Sequence, residues 1–362
     1  MLAAAASASL ALSIASCNIG TYGQEPTLTA LSSQSVADLK QGVSEQDLHD
    51  ASLETVSTKG GTLFISTGTA TKKPDADVTR IVSRDPSTDQ FQWAASITPS
   101  AADHQMANSI SGSNGGYAQT ASQSHTGDII VSPDGRYLSL VLTPDESHGG
   151  VPATDRHTHV VVLDTQTGKV VRTAEVAGII LGQALTNSTL AVETAQNYFP
   201  AGSGKGTITT FSLTDTSAQP SSFPTDKWLV GATRENLMLA PEPFSDNCSY
   251  GCSMMTVTLI NADGSTAGSI SGVTAVHPGG WIHRVADPKS DEQQLVNPSI
   301  KKTIDITGKN TFERGVPTGP GLLVEQKSPD GKGSTESKPA FWLSSSDDGH
   351  PHTENLEQFS VH

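Results

Sequence analysis

The sequence predicts an all-β chain in which a four-stranded antiparallel meander is repeated six times. Three observations predict it. Short β-rich runs alternate with turns bearing Gly, Asn and Asp along most of the 362 residues. Two separate series of turns recur in step with each other, and a long polar stretch falls at the same place in every repeat. Aromatic residues make up only 5% of the chain, and Gly, Ser, Thr and Ala are abundant, as suits many short strands joined by tight turns.

The meander is most legible between Asp128 and Val176. Asp128–Val131 is followed by the turn Ser132-Pro133-Asp134-Gly135 and the run Arg136–Leu142. After a polar loop come His159–Leu163, the turn Asp164–Gly168 and the run Lys169–Val176. The strand–Ser-Pro-Asp-Gly-Arg-Tyr–strand half and the Leu-Asp-x-x-Thr-Gly-Lys hairpin resemble a blade of a β-propeller of the WD40/YVTN-like type. That resemblance implies a propeller of four-stranded antiparallel blades from about Leu53 onward.

The first turns of the repeats are Lys59–Gly61, Ser132–Gly135, Thr186–Ser188, Arg234–Asn236, His277–Gly280 and Thr318–Gly321. The last turns are Asp85–Asp89, Asp164–Gly168, Thr214–Ser217, Asn261–Gly264, Thr307–Lys309 and Ser346–Gly349. Both series predict six blades. The Ser/Ala/Asn/Gly-rich gap Thr98–Thr126 reads as a long link, with a seventh blade as the alternative.

Between the second and third strands lie Thr69–Asp77, Thr143–Thr158, Gln196–Gly206, Pro241–Ser253, Asp287–Pro298 and Gln326–Lys338. In a propeller such loops emerge on one face, and insertions gathered on one face of a repeat array read as a binding face, against the plainer reading of drift in solvated loops. Its expected contributors are Tyr198, Phe199, Phe244, His148 and His157. Cys248 and Cys252 share one of these loops. A disulfide there would stiffen the loop tip, and metal binding by the pair is the alternative.

The N-terminal run Leu2–Ser16 is apolar and small, like the core of a signal peptide. Ile14-Ala15-Ser16-Cys17 resembles the lipobox of bacterial lipoproteins. No Lys or Arg precedes the run, a departure from that family's positive leader. The resemblance implies a signal peptide over 1–16, a lipidated Cys17 holding the chain to a membrane, and an extracytoplasmic location. Two acyl chains suffice for stable anchoring. Residues 17–50 read as a flexible tether and 51–362 as the propeller. Val36, Leu39 and Val43 have helical spacing within the tether, and Thr27–Leu31 could instead be a strand that closes the ring.

A net charge of −15 excludes nucleic acid and charge-driven binding to anionic lipid. His157/His159 and His350/His352 could each offer two metal ligands from one strand face, but neither pair has a third ligand in sequence, so no metal is expected. His283 reads as a hydrogen-bonded structural histidine. Ser345, Asp347 and Gly349 resemble the start of the Asp-box of sialidase-type propellers. There the box supports a turn away from the catalytic centre, and Pro351-His352 stands where its Thr-Trp end would be. No phosphate loop or Gly-x-Ser-x-Gly elbow appears, no cofactor is expected and no catalytic residue is named. The expected function is a binding module for an envelope protein or glycan. The alternative is a glycan hydrolase drawing two carboxylates from Asp145, Glu146, Asp155, Glu242, Asp246, Asp287 and Glu292.

Overall fold

The computed structural model describes residues 25–34, 51–68, 78–85, 87–102, 129–142, 157–195, 206–242, 244, 254–287, 289, 292–316, 319–327, 337–345 and 347–359. Strand β1 is Thr27–Leu31. The first meander is β2 (Ala51–Thr58), β3 (Gly61–Gly68), β4 (Val78–Arg84) and β5 (Phe91–Thr98). The second is β6 (Ile129–Val131), β7 (Tyr137–Val141), β8 (His157–Asp164) and β9 (Val170–Ala177). The third is β10 (Ile179–Leu185), β11 (Thr189–Ala195), β12 (Gly206–Ser212) and β13 (Ser221–Thr225). The fourth and fifth share a strand: β14 (Trp228–Ala232), β15 (Leu237–Ala240), β16 (Met255–Ile260), β17 (Thr266–His277), β18 (Trp281–Asp287), β19 (Glu292–Asn297) and β20 (Lys302–Asp305) form one seven-stranded sheet. The sixth is β21 (Lys309–Val316), β22 (Gly319–Lys327) and β23 (Ser337–Ser344), with a single Trp342–His352 bridge where a fourth strand would lie. Every pairing is antiparallel.

β17 changes partner along its length. Its first residues pair with β16 and its last with β18, overlapping at Val273. Gly272 sits at the changeover with φ +72, and a Cβ there would strike the Val285 carbonyl. Only glycine accepts both conditions.

Three expectations shift. Glu292–Asn297, read as loop, is β19. The last turn of the fifth meander is therefore Pro298–Lys301, and Thr307-Gly308 is the link to the sixth. The strand was missed because its burial falls on Leu295 and Asn297 while the glutamines stay half-exposed, so the run looks polar. The first turn of the sixth meander comes earlier than expected, since β22 begins at Gly319. Thr27–Leu31 is a strand, but it pairs with β5 on the outer edge of the first sheet and does not join that sheet to the last. The spacing of Val36, Leu39 and Val43 falls outside the described residues. In the Thr98–Thr126 gap, Ala101 bridges Leu142 of the second meander, and 103–128 lie outside the described residues.

The core is a series of layers between successive meanders. Leu63, Ile65 and Ile81 of the first pack with Leu138, Leu140 and Val161 of the second. Tyr137, Val160 and Val162 of the second pack with Leu190, Val192 and Phe211 of the third. Ala191 and Ile208 meet Leu229 and Leu237 of the fourth, and Trp281 and Leu295 of the fifth meet Leu322 and Leu343 of the sixth. A strand sandwiched between two layers must be apolar on both faces. Accordingly β7, β8, β11 and β15 are buried almost throughout, whereas the outermost β13 and β20 are mostly exposed.

The first turns touch one another around a ring. Lys59 N–H donates to Gly135 O (2.9 Å), Asp134 N–H to Asn187 Oδ1 (3.1 Å), and Asn187 N–H to Arg234 O (3.0 Å). Gly280 lies against Thr233, Gly279 against Ser345, and Gly319 against the Thr58 carbonyl. The first meander is thereby joined to the sixth. The last turns lock onto the same ring. Thr165 Oγ1 donates to Gly135 O (2.9 Å), Trp93 Nε1 donates to Thr165 O (2.9 Å), and a Cβ on Gly60 would run into that same Thr165 carbonyl. Gly60→Ala is expected to cost about 2 kcal/mol, because backbone meets backbone and neither can turn aside. Urea unfolding checks this, and an unchanged midpoint would refute the contact.

Candidate functional site

The first strands of the six described meanders converge on one cavity of about 220 Å³. Thr55 and Ser57 of β2, Ile129 and Val131 of β6, Leu185 of β10, Ala232 of β14, Val276 and His277 of β17, and Glu313 of β21 line it. These residues lie near the C-terminal ends of their strands, beside the ring of tight turns. The long segments between second and third strands join the opposite end of five of these meanders; in the fifth only 288–291 separate β18 from β19.

Among the described lining residues, Glu313 is the one carboxylate and His277 the one imidazole. His277 Nδ1 is 3.2 Å from Glu313 Oε1, and its Nε2 is 3.5 Å from Thr311 Oγ1. Its ring stacks on His283 at 6.2 Å, and His283 Nε2 is 3.2 Å from Gln293 Oε1, as expected of a structural histidine. The sequence hides this pair because His277 opens a His-Pro-Gly-Gly turn and Glu313 sits in another meander. The cavity is smaller than the roughly 300 Å³ at which ordinary ligand pockets begin. Its described lining holds one carboxylate–imidazole pair.

Of the residues expected on the binding face, Tyr198, Phe199 and His148 lie outside the described residues, as do Cys17, Cys248 and Cys252. Phe244 is 6% exposed and packs in the core with Trp228, Met238 and Val257, so it anchors its own meander and presents no ring to solvent. His157 stands at the surface at the start of β8, paired with Glu175 at 2.9 Å. His159 is buried, with Nε2 3.9 Å from Glu25. Of the carboxylates, Glu242, Asp287 and Glu292 are exposed, Glu292 at the start of β19 rather than in a loop; the other four lie outside the described residues.

The second histidine pair forms a clasp. His352 pairs its backbone with Trp342 (both bonds 2.9 Å) and stacks its ring on the indole at 3.9 Å. Its Nε2 meets Asp347 Oδ2 at 2.7 Å and its Nδ1 meets Glu354 Oε1 at 2.9 Å, while His350 approaches edge-on. Both ring nitrogens are engaged by carboxylates. Asp347 Oδ1 also accepts the Gly349 N–H (2.7 Å), so the Asp-box-like segment supports its turn. Burial pulls the His352 pKa down, but the bonds to Asp347 and Glu354 outweigh it and hold the imidazole above its ordinary value. The clasp is therefore fully formed below the unfolded-state pKa of histidine and fades as pH rises through the raised one. Trp342 emission, read against the other tryptophans by Trp342→Phe, is expected to titrate above pH 6.5, and Asp347→Asn to lower the midpoint. A midpoint unmoved by Asp347→Asn would count against the clasp.

One buried carboxylate went unread in the sequence. Glu193 of β11 is 1% exposed; its Oε2 accepts the Leu229 N–H at 2.8 Å, where β14 bulges, and its Oε1 has no partner. Burial pushes its pKa up to about 7 against the opposing backbone bond. Ala191 and Ala195, on the same face of β11, were the available signal, since a lone Glu between two buried alanines does not face water.

No family model matches the chain, and no curated protein matches it. Among solved structures it is similar to the β-propeller domain of the Trilobed protease from Pyrococcus furiosus, at 12% identity and a TM-score of 0.42 over 80% of this chain and 82% of that one. It is similar to the Pyrococcus horikoshii acylaminoacyl peptidase at 11% identity and 0.42, over 87% of this chain and 54% of the peptidase. It is also similar to TolB from Acinetobacter baumannii at 11% identity and 0.31, over 84% and 79%. No helix among the described residues is long and apolar enough to cross a membrane.

Proposed function

We propose that the chain is a six-bladed β-propeller lipoprotein, anchored to a membrane through Cys17, that binds an envelope protein or glycan through its loop-rich face. The observation that carries the binding role is topological. The segments 69–77, 143–156, 196–205, 243–253 and 328–336 each leave a second strand and enter a third, at the same end of five meanders. The opposite end carries the turn-to-turn contacts and the cavity beside them. Variable sequence set on one end of a rigid array is how repeat folds present recognition surfaces. Residues that carry contact there include Tyr198, Phe199, His148 and His157, and a Cys248–Cys252 bridge stiffens one loop.

The binding role is tested by replacing 196–205 and 245–253, which spares the buried Phe244, with two-residue Asn-Gly turns and measuring retention on purified cell-wall glycan and on cross-linked envelope extracts. The expected result is lost retention at unchanged melting temperature. Retention unaffected by the replacement, or cleavage of the glycan by the native chain, would overturn the reading. The anchor is tested separately. Intact mass of membrane-extracted protein is expected to match cleavage before Cys17 plus acyl chains, and Cys17→Ala to release the protein. An uncleaved, unmodified chain removes the anchor.

A further inference from the structure

Three buried side-chain atoms near the ring of turns have no hydrogen-bond partner among the described residues: Arg234 Nε, Asn297 Oδ1 and Ser345 Oγ. They come from the fourth, fifth and sixth meanders, yet shared contacts bring their residues together. The Arg234 guanidinium donates through Nη2 to Ser345 O at 2.9 Å and to Asp347 O, and the Arg234 backbone N–H donates to Ser299 Oγ at 3.2 Å. Asn297 Nδ2 donates to Gly279 O at 3.0 Å. Gly279 lies directly under Ser345; a Cβ on it would sit 2.6 Å from Ser345 Cβ. Asn297 and Ser345 are each 1% exposed.

We infer that a single water molecule is held among these three groups as a built-in guest joining the fourth, fifth and sixth meanders. The chemistry selects the guest. Arg234 Nε–H can only donate and Ser345 Oγ–H can donate, so the guest must accept. Asn297 Oδ1 can only accept, because its amide nitrogen is committed to Gly279 O, so the guest must also donate. Water does both, and about three bonds to otherwise unpaired buried groups is the usual complement of an internal water. Ammonium cannot accept from the guanidinium. Chloride cannot donate to Asn297 and would face its oxygen. Without a guest, three buried groups would each carry a desolvation penalty.

The test is a crystal structure of the full chain at a resolution that resolves ordered solvent, with data also collected at a long wavelength. The expected result is one peak within hydrogen-bond distance of all three atoms, with the weight of water. An empty site, or an anomalous peak marking chloride, overturns the inference. Ser345→Ala is expected to lower the folded-to-unfolded equilibrium about tenfold and to weaken the peak. If that variant retains a full peak at unchanged stability, Ser345 is no partner and the site as described fails. The native density decides even if the variant does not fold.

Discussion

Replacing Glu193 with glutamine is expected to raise stability at pH 8 by roughly 3 kcal/mol and to leave it nearly unchanged at pH 4. The carboxyl's pKa in the fold is about 7, raised by burial from an ordinary value of 4.5. Below the ordinary value both folded and unfolded chains hold the proton, and the group costs nothing. Between the two values the unfolded chain releases the proton while the folded one keeps it, so stability falls as pH rises. Above about 7 the cost is constant. Glutamine removes the titration while its carbonyl still accepts the Leu229 N–H. Guanidinium unfolding of both forms across this range checks it. A stability gap that does not change with pH would show that Glu193 is not the buried acid described above.

Trp281→Ala is expected to cost about 3–5 kcal/mol, the range for emptying a large aromatic from a packed core. The indole is 1% exposed and fills the layer between Leu295 and Ile306 of the fifth meander and Leu322, Val324 and Leu343 of the sixth. Gly349 approaches so closely that a Cβ on it would lie 3.0 Å from the ring, so the turn that the Asp347 clasp supports rests on the same side chain. The contrast is Phe312→Ala. Phe312 is 45% exposed on β21, and its truncation is expected to change stability by less than about 0.5 kcal/mol. If Trp281→Ala costs no more than Phe312→Ala, the layer between the fifth and sixth meanders does not hold them together.

How much of this could be read beforehand depended on where burial falls. Four last turns were legible because each carries its own chemistry: Asp85, Asp164, Asp215 and Asp263 each cap one by accepting bonds from nearby Ser or Thr groups. The apolar runs of β7, β8 and β11 were legible because strands between two layers are apolar on both faces. β19 was not, since Glu292, Gln293 and Gln294 read as loop until β18 and β20 are placed on either side. The site divided likewise. Loop residues could be named from composition, but whether a loop aromatic faces water is a packing outcome, and Phe244 turned inward. The His277–Glu313 pair and Glu193 each depend on two meanders meeting, a relation that spacing along the chain does not encode.

One joint of the ring is unlike the rest. β17 belongs to both the fourth and fifth meanders, so those two are continuous through hydrogen-bonded backbone. At every other joint, that between the sixth and the first included, neighbouring meanders lie in separate sheets and share no described strand. The described N-terminal strand belongs to the first sheet and the C-terminal segment to the sixth. Tension applied between Thr27 and Phe359 therefore acts straight across one of these joints without a shared strand. Under such a pull the molecule opens there like a split washer, with the fourth and fifth meanders swinging as one stiff plate.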